Sequence, residues 1–276
     1  MIILHPNSKI NTKMVVPQRK LFVICAAYLL LITCAELVTI YDPKAGIASH
    51  ALILFVLLLH SARESDKDKN LSTFLMALVL APLIRILSLS MPFIHFSTIS
   101  GFLLISIPIF IAIFTCMRLQ GLRAKDVGLS MPKLNLKHQS IGAGVILLAI
   151  PFGIVEYLIL KPRPLPESGI ANFITAALIF IACTGLLEEL AFRGLLQYNA
   201  IRLLNKWWGI LFVSMIFGVL HVGNLSPWHL DCVLAFSAGF VFSVVRERTR
   251  SIYGISLSHG IINIILFLVM PFYQIF

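Results

Sequence analysis

Apolar runs long enough to cross a lipid bilayer recur from Leu21 almost to the C-terminal residue. They run from about Leu21 to Ile40, Gly46 to His60, Leu71 to Ser90, Thr98 to Met117, Ser140 to Leu160, Ala171 towards Leu204, Trp207 to Val222, Leu230 to Val245 and Ile252 to Met270. Most have the roughly 17–22 residues that suit a helix crossing hydrocarbon, twice what a barrel strand needs. A backbone in lipid must satisfy its own N–H and C=O groups, so such runs become helices. With 59% hydrophobic and 12% charged residues, the chain lies far outside the range of soluble domains. The expected fold is all-α: a polytopic membrane helical bundle of about nine transmembrane helices.

A net charge of +10 could suggest nucleic acid, but the placement of the basic residues excludes it. With the N-terminus in the cytoplasm, the outer loops hold Lys44, Lys161 and Arg163, and the spans hold Arg85 and Arg193. The rest of the 22 Lys and Arg fall in cytoplasmic segments, as the positive-inside rule requires of a cytoplasmic-membrane protein. The loop from Arg118 to His138 is amphipathic and basic and is expected on the membrane surface. Lys161–Pro166 reads as a stiff proline-rich connector, and Pro82 as a kink in the third span. Five cysteines, all in apolar segments and without C-x-x-C pairing, read as small buried hydrophobes.

The sixth span holds Gly185-Leu186-Leu187-Glu188-Glu189-Leu190-Ala191-Phe192-Arg193-Gly194. Each charged group facing lipid would cost about 2.5–3.5 kcal/mol, so these must face protein or a wet cavity. Glu189 and Arg193 share a helical face and can neutralise each other. Glu188 points about 100° away and has no local partner, which suits a general base. Read as structure alone, the segment is a buried ion pair plus one interhelical hydrogen bond.

Three later polar groups join it: His221 after Phe217 in span seven, and His259 and Asn263 on one face of span nine. At about 1.5 Å per residue, Glu188 and His221 each sit roughly 21–24 Å from the turn near Asn205, so antiparallel helices bring them level. Glu36, Arg85 and Glu156 read as interhelical contacts. His50, His60, His95, His138 and His229 read as interfacial or loop residues, and Asp231 as a helix cap.

Glu188-Glu189-x-x-x-Arg193, Phe217-x-x-x-His221 and His259-x-x-x-Asn263 together resemble the motif set of the CAAX-protease and bacteriocin-processing (CPBP) family of intramembrane endopeptidases. The resemblance covers about Phe173–Met270. It divides the chain into a basic cytoplasmic N-terminus (1–20), N-terminal helices with the basic amphipathic loop (21–170), and a protease-like core (171–270). It implies that Glu188 and His221 hold and deprotonate a water, that His259 and Asn263 stabilise the oxyanion, and that Glu189, Arg193 and Phe217 support them. It also implies a membrane-embedded or membrane-anchored protein or peptide substrate within the lipid bilayer. A metal variant stays open, with Glu188, His221 and His259 as zinc ligands and a fourth position vacant. The preferred reading needs no cofactor. A proton-coupled transporter or a catalytically silent immunity protein are the other classes such a chain admits.

Overall fold

A computed structural model of the chain describes residues 17–93, 98–131, 136–162, 169–224 and 226–273. Residues 1–16, His95, Lys133 and the connector from Arg163 to Pro166 lie outside these. The described residues form helices and no strand. In chain order these are α1 (Gln18–Tyr41), α2 (Pro43–Glu64), α3 (Lys69–Ser90), α4 (Thr98–Leu119), α5 (Leu136–Leu160), α6 (Ile170–Leu204), α7 (Lys206–Val219), α8 (Trp228–Thr249) and α9 (Tyr253–Phe272). All except α7 are long and apolar enough to cross a membrane. The chain is a polytopic integral membrane protein, as its apolar runs require.

Local chemistry sets the boundaries. Asp42 ends α1 and caps α2, accepting from the N–H groups of Lys44 and Ala45, with Pro43 pre-set in the first helical position. Asp68 does the same for α3 through the Leu71 N–H, at 3.0 Å. Near Pro82 the α-helical run is interrupted for one residue, at Val79, whose backbone stays helical and whose N–H still reaches the Leu75 carbonyl at 3.2 Å.

The seventh span departs from expectation. Its 14-residue helix stops at Val219 and reaches only about 21 Å, short of a hydrocarbon core of about 30 Å. The chain then turns through His221–Asn224 and re-enters a helix at Trp228. Irregular backbone at membrane depth is tolerated only inside protein or along a cavity, which constrains where this turn can sit.

The basic segment after α4 is fastened to the bundle at one point. Val127 is fully buried. The Gly128 carbonyl accepts from Ile252 N–H at 3.0 Å, and Arg246 Nη2 donates to the Asp126 carbonyl at 2.8 Å. One apolar side chain and two well-placed carbonyls anchor the segment against the start of α9 and the end of α8.

Two close approaches bring the late helices together. A Cβ on Gly185 of α6 would stand 2.4 Å from the Ser256 carbonyl oxygen, and one on Gly260 of α9 would stand 2.8 Å from Ile181 Cα. Without lipid-excluding hydrophobic force between helices, such small-residue crossings provide the contact area for packing. On α7, Gly218 plays the same part against Phe236 and Cys232 of α8.

A buried ion pair ties the N-terminal helices to the late ones. Glu36 of α1 is fully buried and accepts two hydrogen bonds from Arg85 of α3, through Nε and, at 2.8 Å, Nη2. Arg85 Nη1 then donates to Asn224 Oδ1 at 2.8 Å, in the turn after α7. His50 of α2, expected at an interface, is instead buried with Nε2 3.0 Å from Glu36. A Cβ on Gly223 would come within 2.9 Å of Arg85 Nη2, so the turn lies directly on the pair.

Gly185→Val should prevent α9 from seating on α6, because its branches meet backbone. Thermal unfolding in detergent should show destabilisation of at least about 1–3 kcal/mol, with Gly142→Ala, placed in open space, near neutral. Arg85→Met leaves Glu36 buried with only His50 beside it, and should destabilise by about 3–5 kcal/mol. Pairing it with Glu36→Gln should recover most of that loss in the same assay.

Candidate active site

The glutamates of α6 stand between two stretches in which the helix widens. Leu187 N–H bonds to the Ala182 carbonyl and Gln197 N–H to the Phe192 carbonyl, each five residues back. Residues Phe180–Leu186 and Leu190–Leu196 are thus π-helical, with Leu187–Glu189 as the short α-helical step between them. Widened turns of this kind recur at functional sites, because each one rotates the following side chains off the regular 3.6-residue stripe. Phe180–Leu186 is also where the Gly185–Gly260 crossing lies.

Glu189 and Arg193 are both fully buried, and they pair as their spacing predicts, with Nη1 2.9 Å from Oε1. The guanidinium carbon lies 4.0 Å from the centroid of Phe217, a cation–π contact that covers nitrogens without hydrogen-bond partners. Gly239 of α8 makes room for this stack, since a Cβ there would stand 2.7 Å from Arg193 Nη2.

Glu189 does more than neutralise Arg193. Its Oε1 also lies 2.9 Å from His259 Nδ1. A carboxylate only accepts, so Nδ1 carries the hydrogen and Nε2 is turned towards Glu188, 3.9 Å from its Oε2. His259 thus stands between the two adjacent glutamates, one orienting it and the other facing it. This is the logic by which a carboxylate fixes the ring and tautomer of a working histidine.

His221 is oriented differently. Its Nδ1 lies 2.8 Å from the Phe217 carbonyl, one of those freed as α7 ends. A carbonyl accepts, so in the neutral ring Nδ1 holds the hydrogen and Nε2 presents a lone pair. The Phe217 ring packs 4.8 Å from His221 and 6.0 Å from His259, centroid to centroid. Phe217 therefore sets both imidazoles, through its carbonyl and through its ring. Asn263 Nδ2 donates to Thr184 Oγ1 at 2.9 Å, which fixes the carboxamide and leaves a second amide hydrogen.

Glu188, His221, His259 and Asn263 line one cavity of about 350 Å³. Arg85 and Asn224, Thr184, Glu156 and Asp231 line it too, and none of these carried a motif. Asp231, expected as a helix cap, is buried in the first turn of α8. The turn His221–Asn224 supplies the polar edge of this cavity, which accounts for irregular backbone at that depth. Together these groups provide a lone pair at His221, a carboxylate at Glu188, an N–H donor at Asn263 and, when its ring is protonated, a second donor at His259 Nε2. That inventory matches the base and donors that acyl transfer to water requires.

The zinc arrangement fits less well. Among the described residues no group of three or more His, Cys, Asp or Glu is placed to hold a metal ion. Glu188 and His259 are near each other, and the Nδ1 contacts of His259 and His221 leave each Nε2 free as a metal-bound imidazole would need, so the misfit lies in how the three groups are spaced and not in their tautomers.

The described residues that carry this geometry fall within a region with known relatives. Residues 170–265 match the model of a family described as type II CAAX prenyl endopeptidase Rce1-like. No curated protein and no solved structure matches the chain. The match contains Glu188, Glu189, Arg193, Phe217, His221, His259 and Asn263, and joins them to a family defined by a protease activity. Over residues 170–265 the chain therefore carries a domain of the Rce1-like family, and it is an intramembrane protease of the CAAX-protease type.

Proposed function

We propose that the protein hydrolyses a peptide bond of a membrane-embedded or membrane-anchored protein or peptide, using water activated by Glu188 and His221. The observation that carries this is the Glu188–His259 pair at 3.9 Å, in a cavity also lined by His221 and Asn263. His221 Nε2 accepts one hydrogen of the water, and Glu188 takes the other as the oxygen attacks the carbonyl carbon. The negative charge that forms on the carbonyl oxygen meets the Asn263 amide and the Nε2–H that His259 can carry between its two glutamates. The C–N bond then breaks, and the proton held by Glu188 passes to the leaving amine nitrogen. Glu189 acts through His259, holding its ring, and Arg193 offsets the burial of Glu189. The positively charged residues outside the spans support a cytoplasmic N-terminus in a bacterial cytoplasmic membrane.

Glu188→Gln preserves shape and removes basicity. It should lower cleavage of a membrane reporter by on the order of 10²–10⁴ while the protein still inserts and unfolds at the wild-type temperature. Glu189→Gln should also reduce kcat, with destabilisation added, because both Arg193 and His259 lose their charge partner. Activity that survives exhaustive chelation in the wild-type protein supports the metal-free route. Loss on chelation, restored by zinc and absent from His221→Ala, points instead to a metal-held water.

A further inference from the structure

The cavity that holds Glu188 does not sit midway between the ends of the helices that wall it. In α3, which starts at Lys69, its lining runs from Ile84 to Met91, just past the helix end at Ser90. Phe102 lies in the second turn of α4, Glu156 about one turn before the end of α5, and Asp231 in the first turn of α8. The opposite ends of the same helices carry basic residues: Lys69 in α3, Arg118 in α4, Lys137 in α5, and Arg246 and Arg248 in α8. Helix α7 starts at the basic end and stops at Val219, and the turn after it, with His221 and Asn224, completes the wall. At about 1.5 Å per residue, His221 stands about 22 Å from Lys206, which leaves about 8 Å to the far boundary of a hydrocarbon core about 30 Å thick. Only α9 contributes along its middle, from His259 to Phe267.

Towards the basic ends the bundle is closed. Phe74 and Leu78 of α3, Leu195 of α6, Phe212 and Val213 of α7 and Ile255 of α9 belong to one hydrophobic core, and none is more than 4% exposed. The Phe74 and Phe212 rings meet at 5.5 Å, centroid to centroid. Closer to the basic ends, Gln197 Nε2 donates to the Ser243 carbonyl at 3.1 Å, and Asn199 Nδ2 to Gln120 Oε1 at 3.0 Å, tying α6 to α8 and to the residue after α4. A polar cavity at that end, lined by Ser65, Thr73, Gln120, Asp126 and Arg202 among others, shares no described lining residue with the first. At the far ends, by contrast, Ser88, Leu89 and Met91 are half-buried and Asn224 is exposed. Close-packed apolar side chains leave no path for water, and hydrolysis consumes one water per bond, so the open end decides where water enters.

Resting on the protease reading and the cytoplasmic N-terminus above, we propose that water and substrate reach this cavity from the outer side of the membrane. The substrate is an exported polypeptide, held in the outer leaflet by a lipid or an apolar segment, whose scissile bond lies at or just inside the outer boundary. A segment arriving from that face enters about 8 Å of hydrocarbon, whereas one from the cytoplasm would cross about 22 Å and a packed core. The polar product leaves outwards by the same mouth, and a bond confined to the cytoplasmic face stays out of reach.

The test uses the full chain in sealed membrane vesicles, right-side-out and inverted. The probes are quenched fluorogenic peptides of mixed sequence, each with a palmitoyl anchor and a sulfonated terminus that keeps it on the face to which it is added. With each rate expressed relative to that after detergent, Glu188-dependent cleavage should proceed in right-side-out vesicles and fall to the leak rate in inverted ones. A small charged methanethiosulfonate added to right-side-out vesicles should modify Met91→Cys and Phe102→Cys beyond what the unsubstituted protein takes up, and should spare Lys67→Cys. Inverted vesicles should show the reverse. Ser88→Cys, at the same mouth, replaces Phe102→Cys if that variant unfolds below the wild-type temperature. Equal cleavage in the two preparations, or faster cleavage in inverted vesicles, overturns outer access and leaves the protease reading standing. Modification of Lys67→Cys rather than Met91→Cys from outside, or of Phe102→Cys only in inverted vesicles, overturns it as well. Absence of Glu188-dependent cleavage of any peptide in detergent overturns both.

Discussion

Charge inside lipid is tolerated only when it is paired, and the architecture follows from where those pairs are made. Two arginines buried in the bundle, Arg85 and Arg193, are each matched by a glutamate, Glu36 and Glu189. Neither pair is an isolated contact. Glu189 passes its orientation on to His259, and Arg85 passes its own to the turn that carries His221 and Asn224. Each ion pair lowers the cost of its own burial and also positions an imidazole, or the turn that bears one, around a cavity. A lipid-embedded hydrolase needs both a wet interior and groups fixed well enough to act within it, and these pairs contribute to both.

Glycine placement gives the pairs their reach. Glu189 meets His259 because α6 and α9 cross at Gly185 and Gly260, where no side chain holds the backbones apart. Arg193 stacks on Phe217 because Gly239 leaves its Nη2 room on the α8 side. The π-helical stretches around Glu188 complete the arrangement by turning residues on either side of the glutamates to different faces. Helix ends contribute as well: α7 stops early, and a carbonyl released by that stop, Phe217 O, sets the ring of His221.

The sequence made some of this readable and not the rest, for physical reasons. Apolar runs of bilayer length showed the helical class, because lipid leaves the backbone few alternatives. The Glu189–Arg193 pair was legible because a spacing of four residues has one geometric meaning on a helix. Levelling Glu188 with His221 needed only the rise per residue and one shared turn. By contrast, the Glu189–His259 contact depends on an interhelical crossing, and the Glu36–Arg85 pair joins residues far apart in the chain; periodicity registers neither. A strict 3.6-residue repeat also conceals π-turns, since five-residue hydrogen bonds leave no compositional mark. Glu156 and Asp231 carried no spacing signal at all, so their place in the cavity wall emerged only from the packing of α5 and α8.

The contact between Arg85 and Asn224 has a consequence for how the chain is divided. The homologous segment begins at residue 170, yet the turn bearing one of its imidazoles is fastened from α3, and that fastening is anchored in turn on α1. Similarity and self-sufficiency therefore part company here. The matched segment holds the proposed reacting groups, while an upstream scaffold outside it supplies part of their rigidity, so an excised fragment would keep those groups and lose the frame holding one of them in register.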